Sequence, residues 1–227
     1  MSTVQKLSLA LIGTAVVFMS ANPANAVTLS KGSTTPTSNG IFSTVLGAKT
    51  IDFNDGTAID PNKVATYSTP NTIVVLTQPS QYAAPAGDNS PYLTISPTSS
   101  NVTGNTGPVT INFNQALNYF GLHCGSVDTY NSIAFFNGST LLRTFTGSDV
   151  STPPTGNQTI SQDNLFVDFF ADPGETFNKI VLSSTGVAFE SDNHSYRVAN
   201  VPEPTTTLGL LAFGVMSAGS FVKRKLK

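Results

Sequence analysis

The sequence predicts an all-β body, a two-sheet antiparallel sandwich of jelly-roll type, with a hydrophobic helix at each end of the chain. Three observations point to it. Between residues 27 and 200 the periodicity of an amphipathic helix is nearly absent, and short runs rich in Val, Ile, Phe and Thr are separated by clusters of Gly, Pro, Asn, Ser and Thr. Some runs alternate: Val109, Ile111 and Phe113 share one face with Thr110 and Asn112 on the other, and Leu165, Val167 and Phe169 repeat the pattern around Asp168. Turns are marked by Asn137-Gly138-Ser139 and Asp172-Pro173-Gly174, residues that tolerate the positive φ of tight connections.

At the N-terminus, Lys6 precedes an apolar segment over 7–19, and Ala24, Asn25 and Ala26 form a small-x-small site. This is the layout of a secretory signal peptide, residues 1–26, cut by signal peptidase after Ala26 to leave Val27. Its apolar core of 13 residues is too short to span a bilayer. Residues 27–40 read as a flexible leader and 41–200 as the sandwich domain. Candidate strands fall at 42–46, 50–53, 72–77, 92–96, 109–113, 119–123, 132–137, 141–145, 165–170, 179–184, 187–190 and 196–199, and 97–107 reads as a loop.

The chain closes with Pro202, Glu203 and Pro204, an uncharged run of 18 residues over 205–222, and a tail of Lys223, Arg224, Lys225, Leu226 and Lys227. As a helix the run reaches about 27 Å, enough to cross the hydrocarbon core. The basic tail holds that end in the cytoplasm and places everything upstream outside.

This order of Pro-Glu-Pro, hydrophobic run and basic tail over 201–227 resembles the PEP-CTERM sorting signal of Gram-negative bacteria and cyanobacteria. The resemblance implies cleavage by an exosortase near Pro202, Glu203 and Pro204, an inner-membrane intermediate, and then a place at the cell surface or in the extracellular matrix. Within the body, Ile51-Asp52-Phe53-Asn54, Tyr119-Phe120-Gly121-Leu122, Gly125-Ser126-Val127-Asp128 and the run from Gly186 to Asn193 resemble a cyanobacterial group of exosortase-dependent surface proteins. That family implies a location and no established chemistry.

Composition bounds the partners. The span 27–200 holds six cations and twelve acids, a net charge near −6 that the whole-chain value of −2 hides, because five of the eleven cations lie in the terminal segments. Such a surface disfavours nucleic acid and anionic polysaccharide and permits divalent cations and neutral glycans. Cys124 is the only cysteine, so the domain stands without an internal disulfide, and its apolar surroundings predict burial as a small hydrophobe.

Catalytic signals are sparse. His123 and His194 are the only histidines; His123 and Cys124, neighbours in a strand, point to opposite faces, and His194 reads as a solvated loop residue within 191–195. No Gly-x-Ser-x-Gly elbow and no zinc-ligand spacing is present. Asp128 and Glu190 are the carboxylates available for glycoside chemistry, although the chain has no Trp platform. Asp52, Asn54 and Asp55 near the first strands, with Glu190, Asp192 and Asn193 near the last, offer hard oxygens for a structural calcium ion. Loops 78–91 and 128–132, with Tyr82, Tyr92, Tyr130 and Asp128, offer a binding surface for a neutral glycan. The sequence thus points to a non-enzymatic structural or adhesive component of the cell surface or exopolysaccharide layer, with a carbohydrate-binding module as the alternative and a glycoside-active enzyme behind it.

Overall fold

In a computed structural model, residues 26–68, 73–98 and 105–200 are described. Their strands are β1 Val27–Lys31, β2 Lys49–Ile51, β3 Ala65–Tyr67, β4 Ile73–Val74, β5 Tyr92–Ser96, β6 Asn105–Thr106, β7 Val109–Gly125, β8 Asn131–Asn137, β9 Thr140–Thr146, β10 Leu165–Ala171, β11 Phe177–Ser184 and β12 Phe189–Val198. A single helical turn, α1 Gly147–Val150, follows β9. The signal segment with Ala24, the motif Pro202, Glu203 and Pro204, and the hydrophobic run 205–222 lie outside the described residues. Among those described, no helix is long and apolar enough to cross a membrane.

The all-β expectation holds, with one change of architecture. The strands form one continuous sheet of 12 rather than two separate sheets, antiparallel except where β6 runs parallel to β5. The cause is β7, whose 17 residues merge two segments that the sequence suggested as separate strands. Its first half pairs with β3 and β11, and its second half with β10 and β12. One strand thereby serves two layers. Phe135 of β8, in the first layer, lies 4.8 Å from Phe169 of β10 and 6.3 Å from Phe120 of the second half of β7, ring centre to ring centre. The sheet therefore folds onto itself around an aromatic core, a sandwich-like arrangement.

The alternating runs behave as their periodicity demands. Val109, Ile111 and Phe113 are buried, as are Leu165, Val167 and Phe169. The hairpin at Asn137 closes with Asn137 opposite Thr140 and Gly138 at φ 58°, and the turn at Asp172 closes with Glu175 N donating to Asp172 O at 2.9 Å. Cys124 is buried in the core without a disulfide.

Three expectations are corrected. Residues 27–31 are not part of a flexible leader: they form β1 along the edge of β10, with Val27 fully buried. Alternation there is weak, and the partner strand lies some 140 residues away, so only pairing in space reveals it. Residues 42–46 form no strand; Leu46 is 92 % exposed and the chain turns through Ala48 N to Val45 O. The candidate strands 187–190 and 196–199 are the two ends of one element, because β12 runs from Phe189 to Val198 through the polar stretch between them, with a bulge between Asp192 and Ser195.

The irregular first third is anchored by Asp60. Its carboxylate accepts from the amides of Asn62, Val64 and Ala65 at 2.8–2.9 Å and from the Tyr196 hydroxyl at 2.7 Å. Burial pushes this carboxyl up, but these bonds outweigh it and hold it below its ordinary range. Asp60→Ala leaves three amides and a buried phenol without their acceptor and is expected to cost about 3 kcal/mol in urea unfolding; a change within experimental error would show that the bonds contribute nothing net.

Candidate functional site

A cleft of about 510 Å³ opens where β7 ends and β12 begins. Its walls come from the loop after β4, the connection after β7, the segment before β10 and the residues leading into β12. Asn164, 2 % exposed, ties three of these together. Its Oδ1 accepts from Ala86 N at 3.0 Å and Ser126 N at 3.1 Å, and its Nδ2 donates to Asn157 O at 2.7 Å and Ile160 O at 2.9 Å. All four hydrogen-bonding positions of the amide are used, which ties these irregular loops to one another. Two glycines permit the approach: a Cβ at Gly125 would meet Pro85 at 2.9 Å, and Gly156, at φ +65°, lies against the Asp128 carboxylate with no room for a side chain.

Of the four residues read as ligand-binding, Tyr82, Tyr130 and Asp128 line this cleft. Tyr130 is half-buried, its hydroxyl donating to Val187 O at 3.0 Å while its ring lies flat against Gly186, where a Cβ would come within 2.8 Å of three ring atoms. Burial raises its phenol pKa, with the neighbouring Asp128 carboxylate adding to the shift. Tyr92 is the exception. It is fully buried behind Tyr82, ring centres 6.3 Å apart, and its hydroxyl is taken by Leu76 O at 2.7 Å. It is buried because both faces of β5 are covered, Leu93 and Ile95 facing the core and Tyr92 lying beneath Tyr82, a property that a run of five residues does not reveal. Gln78, Gln81 and Gln158, not singled out in the sequence, complete the polar wall, and no Lys, Arg or His is among the lining residues.

Glu190 lines the same cleft, which brings together the two carboxylates considered for glycoside chemistry. It is only 2 % exposed, and both its oxygens are engaged: Ala83 N donates to one at 3.0 Å and Ser126 Oγ to the other at 2.8 Å. Burial raises its pKa to about 7 against those hydrogen bonds. Its geometry is that of a brace between the loop at Ala83 and the end of β7.

The polar run from Ser191 to Ser195 is fully buried, and this corrects the reading of His194 as a solvated loop residue. His194 sits inside β12, Nδ1 2.8 Å from the Tyr67 hydroxyl and Nε2 2.9 Å from Ser191 Oγ, and burial lowers its pKa to about 3. Asp192 accepts from Ser90 Oγ at 3.2 Å and Asn193 N at 2.7 Å; burial, then the neighbouring Asp88, pushes its carboxyl up to about 9. Asn193 Nδ2 donates to the carbonyls of Asn39 and Ile41 at 2.8 and 3.1 Å. His123, also fully buried, has Nδ1 3.8 Å from Asp88 Oδ2.

The calcium candidates have separate hydrogen-bond partners. Asp52 and Asp55 close turns through Asn54 N and Thr57, Asp192 and Asn193 serve the buried network, and Glu190 braces the cleft. Strand β2 does lie beside β12, with Ile51 opposite His194. Among the described residues no group of three or more His, Cys, Asp or Glu side chains is placed to hold a metal ion.

The all-β body with its polar, uncharged-to-acidic cleft is followed in the sequence by a hydrophobic run and a basic tail. The model of the PEP-CTERM protein-sorting motif matches residues 200–225. The chain carries that motif, which implies processing by an exosortase, export, and a cell-surface or extracellular destination. No curated protein and no solved structure is detectably similar to it. The match covers the end of the chain, so the body is read from its own geometry.

Glu190 makes stability depend on pH in a defined direction. Its pKa is 4.5 when unfolded and about 7 when folded, so the folded state holds the proton longer and stability falls as pH rises through this window. Glu190→Gln keeps both bonds, because the Ser126 hydroxyl can accept from the new amide. The variant is expected to match the parent near pH 4.5 and to exceed it above pH 7 by on the order of 3 kcal/mol in denaturant titrations; parallel curves for the two proteins would refute a raised Glu190.

Proposed function

We propose that this chain is a non-enzymatic, adhesive component of the cell surface or extracellular matrix, whose cleft holds a neutral glycan of the exopolysaccharide layer. The observation that supports this is the lining: Tyr82 and Tyr130 offer aromatic faces, Gln78 and Gln158 offer paired donors and acceptors, and Asp128 accepts, with no cation among the lining residues to attract an acidic ligand. Sugars need that combination of apolar face and convergent hydrogen bonds. The engaged oxygens of Glu190 favour binding over glycoside hydrolysis, since a general acid has to reach the leaving group.

The route to that location is signal peptidase cleavage after Ala26, insertion of 205–222 as a transmembrane helix in the inner membrane, and exosortase cleavage near Pro202, Glu203 and Pro204. The layout of the two terminal segments supports it.

Two measurements test these readings separately. The purified body is expected to be retarded in native gels cast with a neutral glucan and not with a uronate-rich polymer, and Tyr82→Ala is expected to weaken retardation about tenfold, about 1.4 kcal/mol. Retardation by the uronate polymer alone would overturn the neutral-glycan reading. Intact mass of protein from medium and membrane fractions of the native host is expected to give a species from Val27 to near Pro204; a chain ending at Lys227 in membranes alone would overturn the processing.

A further inference from the structure

We infer that the end of the body from which both chain termini leave is its membrane-facing surface, and that the cleft is held at the opposite pole, turned away from the bilayer while the chain is anchored. This concerns orientation and holds whatever the cleft binds.

Strand register places the termini. In the order β1-β10-β7-β12, Val27 lies opposite Ala171, Phe170 opposite Tyr119, Tyr119 opposite Arg197, and Leu117 opposite Val198. The first and last strands of the body therefore start and finish at one end of one sheet, three strand spacings or about 14 Å apart. Both are pinned there: Asp172 N donates to Ala26 O at 3.1 Å, and Ala199 N to Ala116 O at 2.9 Å.

Strand β12 then measures the distance to the cleft. Glu190, which lines the cleft, pairs with Gly125, and Val198, eight residues on, pairs with Leu117 beside the exit. Eight residues of regular antiparallel strand cover about 27 Å, which the bulges between Asp192 and Ser195 and between Arg197 and Val198 shorten somewhat.

The chain beyond is short. The uncharged run begins at Thr205, six residues after the pinned Ala199. Six residues at full extension reach at most about 21 Å. Turning the body over, with the cleft against the lipid, would lift the exit end by the length of β12, close to about 27 Å, and by the cleft walls that stand beyond Glu190. That is farther than the connection reaches, so a body tethered by a membrane-buried run at 205–222 meets the headgroups with its exit end, at the turn through Asp172 and Glu175.

The single native cysteine makes the test direct. Cys124 is 1 % exposed and burial pushes its thiol up to about 12, so it stays unlabelled by maleimides. Full-length Glu175→Cys and Gln158→Cys, both exposed positions, at the exit turn and the cleft rim respectively, are labelled with a fluorophore and reconstituted in phosphatidylcholine vesicles containing a headgroup-nitroxide lipid. The label at 175 is expected to lose most of its emission and the label at 158 to keep it. Equal quenching, quenching at 158 alone, or quenching at neither position on vesicle-bound protein would each overturn the orientation.

Discussion

A row of six polar side chains, Glu190 to Ser195, is sealed inside the sheet, and the rest of the body is arranged to satisfy it. A buried polar group without a partner costs free energy comparable to a lost hydrogen bond or more, so this row is tolerable only if partners are brought to it. Most come from the loop-rich first half: Asn39 and Ile41 for Asn193, Thr50 for Ser195, Tyr67 for His194, Ala83 for Glu190, Ser90 for Asp192. Strand β12 thus gathers segments that have little regular structure of their own. Gly40 shows how tightly: at φ +77°, a Cβ there would meet Asp88, Asn193 and His123 all within 2.9 Å.

The aromatic core depends on a different device. Strand β7 is long enough to belong to both layers, and its two halves take different neighbours. Phe120, Phe135 and Phe169 meet because the sheet is carried round by this strand, not because two independent sheets dock. Without a disulfide, the apolar burial of this cluster and the hydrogen bonds of the polar row, in which Asn193 Oδ1 alone of the row's side-chain atoms lacks a partner among the described residues, share the task of holding an exported domain together.

The cleft grows out of the same constraints. It lies where β12 begins and β7 ends, so its floor is rigid and its walls are loops fastened by Asn164 and Glu190. A rigid floor with polar, aromatic-bearing loops above it is the usual division of labour in binding proteins on β scaffolds. Because β12 also leads directly to the sorting motif at residues 200–225, one strand links the site to the segment that addresses the protein.

Local signals in the chain announced the class and the address. Alternation at Val109 to Phe113 and the turn residues at Asn137 and Asp172 act over neighbours a few positions apart, and so does the order of Pro-Glu-Pro, apolar run and basic tail. The grouping of Tyr82, Tyr130 and Asp128 was partly legible too, because polar loops rich in tyrosine are where binding surfaces are built. What no local signal carried was which polar residues go inside. His194 read as solvated, Asp192 as a calcium oxygen and Tyr92 as a ligand contact, because burial is set by segments more than a hundred residues away for His194 and Asp192, and by Leu76 and Tyr82 for Tyr92. Strand β1, the union of two segments in β7, and the hub at Asn164 share that origin. Each exists only where distant stretches of chain meet, and hydrogen-bond satisfaction in the folded interior, not any pattern along the sequence, selects them.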